Sequence, residues 1–184
     1  PLALQVASRI RDLIAKDQFP PGTPLKEVNL CKQLSVSRTP LREALKQLIA
    51  EGLVEQIPYR GVVVCNPDQA SIEQMLELLG ALEGFAGEMA CLRATPEEID
   101  AIRVLTQQMH ETYEKDERLS YYKINQSIHR SIVEFSKNEE LIRSHERLNS
   151  RLYRIRFLSN RRTDRWHTGI EEHDAILRNL EERE

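Results

Sequence analysis

A mainly α fold is predicted: three N-terminal helices closed by a β-hairpin wing, followed by an all-α helical bundle. Three observations predict it. Apolar residues recur at helical spacing through most of the 184 residues. Two short β-branched runs, Leu53 to Ile57 and Val62 to Cys65, flank Pro58-Tyr59-Arg60-Gly61, which has the composition of a hairpin turn. After Asn66-Pro67-Asp68 no further strand pattern occurs.

The elements run in order. Leu2, Val6, Ile10, Leu13 and Ile14 place a helix from Leu2 to about Lys16, and Phe19-Pro20-Pro21-Gly22 stops it, because proline cannot continue a helix. A short helix fits Glu27 to Leu34, with a tight turn at Ser35-Val36. A third starts near Ser37, which is placed to cap it, and ends at about Glu51 before Gly52. The hairpin comes next. Pro67 breaks the second strand and Asp68 can cap the next helix, so the sequence divides into 1–66 and 67–184. Helices are expected over Ala70 to Arg93, Pro96 to Lys115, Leu119 to Ser136, Glu139 to Leu158 and Arg165 to Leu180. Thr95-Pro96-Glu97-Glu98 is a helix start, with proline at the first position and acids facing the dipole.

Composition excludes several classes. With 40% hydrophobic and 30% charged residues the chain is neither disordered nor membrane-spanning, and no apolar run approaches the roughly 18 residues a span needs. Cys31, Cys65 and Cys91 are odd in number and far apart, in no metal-ligand spacing, which reads as reduced thiols in a cytoplasmic protein. Net charge is −3, yet residues 1–66 carry nine Lys/Arg against six Asp/Glu, while residues 67–184 carry seventeen against twenty-three. A mildly basic head sits on an acidic body. The chain begins at Pro1 rather than methionine, so residues before it are expected.

The most informative stretch is Leu30 to Val54. Leu30, Leu34, Leu41, Leu45 and Leu48 would form the shared core of two helices crossing at a short turn. The second helix then displays Ser37, Arg38 and Thr39 in its first turn and Arg42 one turn on. In a helix-turn-helix that end enters the major groove, where arginine takes guanine through a two-pronged contact and hydroxyls hold phosphate. Arg60 and Gly61 occupy the wing tip, where glycine lets the backbone approach a phosphate or the minor groove. Gln5 to Val64 resembles the GntR family of regulators, on Pro21-Gly22 with Leu25, Val36-Ser37-Arg38-Thr39-Pro40-Leu41-Arg42-Glu43-Ala44-Leu45, Glu51-Gly52-Leu53-Val54 and Arg60-Gly61. The resemblance implies DNA contacts at Arg38, Thr39, Arg42 and Gly61. Val28 stands where many members carry an arginine.

Residues 69–184 resemble the helical ligand-binding FCD domain of the family's FadR-type branch, on Leu82-Glu83, Asn125 to His129, Ser136-Lys137-Asn138 with Leu141, and Glu172-His173 with Ile176. The resemblance implies a cavity in which a divalent metal sits beside a small carboxylic acid effector. It points to Asn125, His129 and His173 as ligands, with the last histidine beyond Glu184; Asn125 stands where an acid is more usual. Spacing alone puts Asn125 and His129 on one helix face with Tyr122 and Ile132, and His173 on the stripe Trp166, Ile170, His173, Leu177, Leu180. Neutral imidazole and an amide oxygen suit Zn²⁺, Mn²⁺ or Ni²⁺.

The expected function is a metabolite-responsive repressor, a homodimer reading a palindromic double-stranded operator. A metal-sensing regulator without organic effector is the nearest alternative. A metal-dependent hydrolase on His129 and His173 is disfavoured, because no His-Glu-x-x-His pattern or second carboxylate ligand occurs. Arg147, Arg151 and Arg154, with Arg143, Arg156, Arg161, Arg162 and Arg165, read as a dimer seam or solvated face before an anion site. His145, among Leu141, Leu148 and Leu152, reads as core, and His110 and His167 carry no pattern.

Overall fold

The computed structural model describes residues 2–159 and 163–183. Arg161, Arg162 and the side chain of Arg165 lie outside the described residues. The chain forms two compact units, residues 1–76 with 147–158 and residues 77–146 with 159–184.

In the first unit, α1 (Leu2–Ala15) buries Val6, Ala7, Ile10 and Ile14, one face of a 3.6-residue period. α2 (Glu27–Leu34) ends at Ser35, whose left-handed φ of 56° turns the chain into α3 (Arg38–Ala50). Leu30, Leu34, Leu41, Leu45 and Leu48 are all buried and lie in one cluster with the α1 face, as the leucine spacing predicts. Polar clamps fix the helices around that core. Arg9 Nη1 donates to the Leu34 carbonyl at 3.1 Å, satisfying one of the orphan acceptors at the end of α2. Arg11 Nη2 donates to both carboxylate oxygens of Glu51, at 3.0 and 2.8 Å.

β1 (Val54–Ile57) and β2 (Gly61–Val64) pair antiparallel in the register Val54↔Val64 to Ile57↔Gly61. The segment after α1 runs along the other edge of β2: Gly22 N donates to Val64 O and Leu25 N to Val62 O, both at 2.8 Å. The wing is therefore anchored on both sides at its base, while its tip projects.

One local expectation fails for a clear reason. Ser37 does occupy the N-cap of α3, with extended backbone, but its side chain makes no capping bond. A capping hydroxyl accepts from the N–H of the second or third helical residue. The third is Pro40, which has no N–H to give, so only the Thr39 N–H is left, and the Ser37 side chain does not take it.

The second unit is helical throughout: α4 (Gln69–Arg93), whose first turns belong to the first unit, α5 (Pro96–Glu114), α6 (Arg118–Phe135), α7 (Glu139–Ser159), which crosses into the first unit over residues 147–158, and α8 (Thr163–Glu182). The starts are well capped. Asp68 accepts from Ser71 N at 2.8 Å, Thr95 and Glu98 form a reciprocal capping box, and Asn138 Oδ1 accepts from Leu141 N at 3.2 Å. Arg183 Nη1 donates to the carbonyls of Cys91 and Ala94, at 3.0 and 2.7 Å, closing the end of α4. Trp166, Ile170, His173 and Leu180 are buried, so the stripe expected of α8 does face the core. Cys31, Cys65 and Cys91 are free thiols. No described helix is long and apolar enough to cross a membrane.

Candidate nucleic-acid interface and effector site

Ser37, Arg38, Thr39 and Arg42 are all exposed at the N-terminal end of α3, and Arg60 and Gly61 are exposed at the wing tip. The buried leucines behind α2 and α3 hold this surface, and a charge contact ties the two helices together on its outer side. Arg42 Nε donates to both oxygens of Glu27, at 3.0 Å each. That bond pushes the guanidinium's already high pKa further up and leaves the Nη donors to other partners. Glu43, the next residue along, pairs with Lys46 at 2.9 Å. Val28, beside Glu27, is half-exposed. Gly61 adopts φ 77° and Tyr59, also at the tip, adopts φ 63°.

In the second unit, the structure brings His129 and His173 together, their rings edge-on with centroids 5.2 Å apart. Glu83 of α4 organises the surroundings: its carboxylate lies 3.3 Å from His129 Nδ1 and 3.1 Å from His145 Nε2. His173 Nδ1 lies 2.6 Å from the Gly169 carbonyl. Carboxylate and carbonyl oxygens only accept, so each of these Nδ1 atoms carries a proton, and in the neutral rings Nε2 of His129 and of His173 is the lone-pair nitrogen. Asn125, one turn before His129, has a buried Oδ1 with no hydrogen-bond partner among the described residues. Thr106 Oγ1 and both amide atoms of Gln126 are buried without a partner among those residues, in the same unit.

These residues fit part of a metal site. Two imidazoles bound tetrahedrally through nitrogen, at roughly 2.0–2.1 Å per bond, have centroids about 5 Å apart, and Glu83 stands where an outer carboxylate orients a ligating histidine. Among the described residues no three His, Cys, Asp or Glu side chains form a metal-holding group, so the donors brought together are the two imidazoles, with Asn125 one helical turn before His129 on the same face.

Sequence reasoning placed His145 in the core, and it is buried there, but its bond to Glu83 was not foreseen. The only signal for Glu83 was the Leu82-Glu83 resemblance, since α4 also carries Glu73, Glu77 and Glu88 and nothing in the spacing sets one acid apart. His110, which carried no pattern, pairs with Asp174 at 3.0 Å. The arginines of α7 are mostly spent on neighbours: Arg143 on Glu140 at 2.5 Å, Arg154 on Asp17 at 2.6 Å and Arg156 on Asn149 at 2.8 Å.

Three helices with a crossing pair, a hairpin wing and an appended helical bundle define a winged helix-turn-helix regulator of transcription. The family of bacterial regulatory proteins named for gntR matches residues 2–64, and the FCD domain matches residues 74–184. The chain belongs to the GntR family, in the branch that carries an FCD domain, and it is a DNA-binding transcriptional regulator. It is similar to an uncharacterized HTH-type transcriptional regulator in the TAR-I ttuE-ttuC' intergenic region of Agrobacterium vitis, 31% identical over 67% of this chain and 74% of that protein. It is also similar to a probable D-xylose utilization operon transcriptional repressor of Paenarthrobacter nicotinovorans, 32% identical over 76% of this chain and 63% of that protein. The fold is shared with McbR/YncC of E. coli, with a TM-score of 0.84 at 22% identity over 100% of this chain and 88% of that one.

Proposed function

We propose that this chain is a metabolite-responsive repressor: the α3 end and the wing read a double-stranded operator, and the helical unit binds a small carboxylic acid beside a divalent metal. The observation that carries the effector half is the buried polar group in an apolar unit. Burying polar atoms without partners is unfavourable, yet Asn125, Gln126 and Thr106 keep such atoms in this unit, and Asn125 lies one helical turn before His129, a histidine held by Glu83. His129, His173 and Asn125 would hold the ion, which would supply a positive charge to fix a carboxylate. The repressor sign is supported by the name of the Paenarthrobacter relative.

On the DNA side, Arg38 and Arg42 would read base edges, Ser37 and Thr39 would hold phosphates, and Arg60 and Gly61 would meet the adjoining groove, a reading supported by their exposure. A homodimer presents two such heads to a palindrome. The dimer reading is supported by α4, where Leu78, Phe85 and Leu92 recur every seven residues and remain exposed.

The test is fluorescence anisotropy on an operator duplex selected from a random pool, with Zn²⁺, Mn²⁺ or Ni²⁺ and a panel of small carboxylates added singly and together. Release of the operator by metal plus one carboxylate is expected, weakened in Glu83→Gln. A response to metal alone would favour the metal-sensing alternative, and operator affinity indifferent to both would sink the effector reading.

A further inference from the structure

We infer that Tyr59 is a DNA-contacting residue: the wing tip lays its ring against the sugar wall of a groove and its phenol donates to a backbone phosphate. The inference rests on the winged unit being the DNA reader.

The first observation is conformational. Arg60 N donates to Ile57 O at 3.2 Å, which closes a four-residue turn with Pro58 and Tyr59 in the middle. Proline fixes a negative φ at the first central position, and Tyr59 comes next at φ 63°. That combination is a type II turn, whose second central position is suited to glycine because an L side chain is strained there. This chain places its strained residue at Tyr59 while glycine stands two positions later, at Gly61.

The second observation is that the strain is not repaid inside the protein. Tyr59 is 108% exposed, so the ring packs on nothing. A bulky aromatic side chain in a left-handed turn position, supported by no internal contact, points to a partner outside the chain.

The third observation selects the partner. Between Gln56 and Val62 the only charged residue is Arg60, so the tip is a cation beside an amphipathic phenol, with no acid to repel a phosphate. Tyrosine combines an apolar ring with a hydroxyl donor, the pairing that a sugar–phosphate wall accepts. The hairpin is held at its base by Gly22 and Leu25, so the tip is carried on a fixed support.

The experiment compares Tyr59→Gly, Tyr59→Phe and the wild-type full chain on a duplex selected from a random pool with the wild-type protein. Tyr59→Gly relieves the left-handed strain, so its thermal midpoint should rise while its affinity for the duplex falls about tenfold. Tyr59→Phe keeps the ring and loses the hydroxyl, and should fall between the two with the salt slope unchanged, because the phenol is neutral and releases no counterion. Hydroxyl-radical footprints should lose protection at the groove the wing covers in Tyr59→Gly and keep it in the wild type. Arg38→Ala with Arg42→Ala serves as the separate control. If that pair binds as wild type, the winged unit is not the reader; if it loses binding while Tyr59→Gly keeps full affinity and footprint, the inference about Tyr59 alone is overturned.

Discussion

The Nε of Arg42 lies 3.0 Å from both carboxylate oxygens of Glu27, so the two helices of the helix-turn-helix share a charge contact on their exposed face. Both side chains are substantially solvent-accessible, and contacts of that kind contribute little to folding. Their consequence lies in positioning: a guanidinium held at Nε presents its remaining donors in a narrowed set of directions.

Glu27→Ala should therefore leave the thermal midpoint nearly unchanged and still reduce discrimination. Affinity for a selected operator is expected to fall about tenfold, while affinity for unrelated duplex stays the same or rises, because a carboxylate that opposes phosphate has gone. Paired anisotropy titrations on the two duplexes measure the ratio. An unchanged ratio would show that Glu27 does not position Arg42 for reading.

The capping box at the start of α5 makes a pH-dependent contribution. Lys137 and the Thr95 backbone N–H hold the Glu98 carboxyl below its ordinary value of 4.5. A depressed folded-state pKa means the contribution is present above the unfolded value and is lost as pH falls through the folded one. Urea midpoints of wild type and Glu98→Gln should differ clearly at pH 7 and converge as pH falls below the ordinary carboxylate range. Thr95→Ala, which removes the other half of the box, should cost about 1 kcal/mol at neutral pH.

Much of the fold was legible because the signals are local. Helical periodicity, Pro20-Pro21, Gly52, Thr95-Pro96 and the β-branched pair around Pro58–Gly61 depend on neighbours in sequence, and each marks an element observed in the structure. The leucine core of α2 and α3 was legible for the same reason. The missing Ser37 cap was only half readable: Pro40 removes one N–H, but Thr39 still offers another. What was not legible are the pairings that span distance: Glu83 with His129 and His145, Arg42 with Glu27, His110 with Asp174. Spacing places a residue on a face of its own helix but does not say which acid the fold brings opposite it.

Gly169 of α8 illustrates such a distant constraint. Tyr121 of α6 stacks on Trp166 with centroids 4.9 Å apart and planes 4° from parallel, and its hydroxyl donates to the Trp166 carbonyl at 3.1 Å. A Cβ at Gly169 would lie 2.6 Å from that hydroxyl. Tyr121 is almost fully buried, so it has nowhere to swing. Burial also pushes its phenol pKa well above the ordinary value of 10.0, which keeps the hydroxyl a donor at any working pH. Gly169→Ala should destabilise the protein by about 1–3 kcal/mol despite glycine's poor helix propensity. Thermal unfolding read by Trp166, the single tryptophan, measures this directly, and a midpoint at or above wild type would mean the stack yields more easily than its burial implies.

The proposed dimer makes the last prediction. α4 has 25 residues and is about 37 Å long. Its exposed stripe of Leu78, Phe85 and Leu92 runs beside Gly80 and Gly84, where an added Cβ would meet nothing. Large side chains on one flank and open backbone on the other are self-complementary about a two-fold axis, so one copy's Phe85 can enter the other's glycine groove. Phe85→Glu puts a charge into that seam and touches no buried core, so the isolated fold should keep its circular dichroism while the sedimentation coefficient drops from dimer to monomer. Two heads on one palindrome add their binding energies only when the helical units hold them together. Operator affinity of Phe85→Glu should thus fall far more than its affinity for a half-site, and a variant that stays dimeric would move the seam to another face of the helical unit.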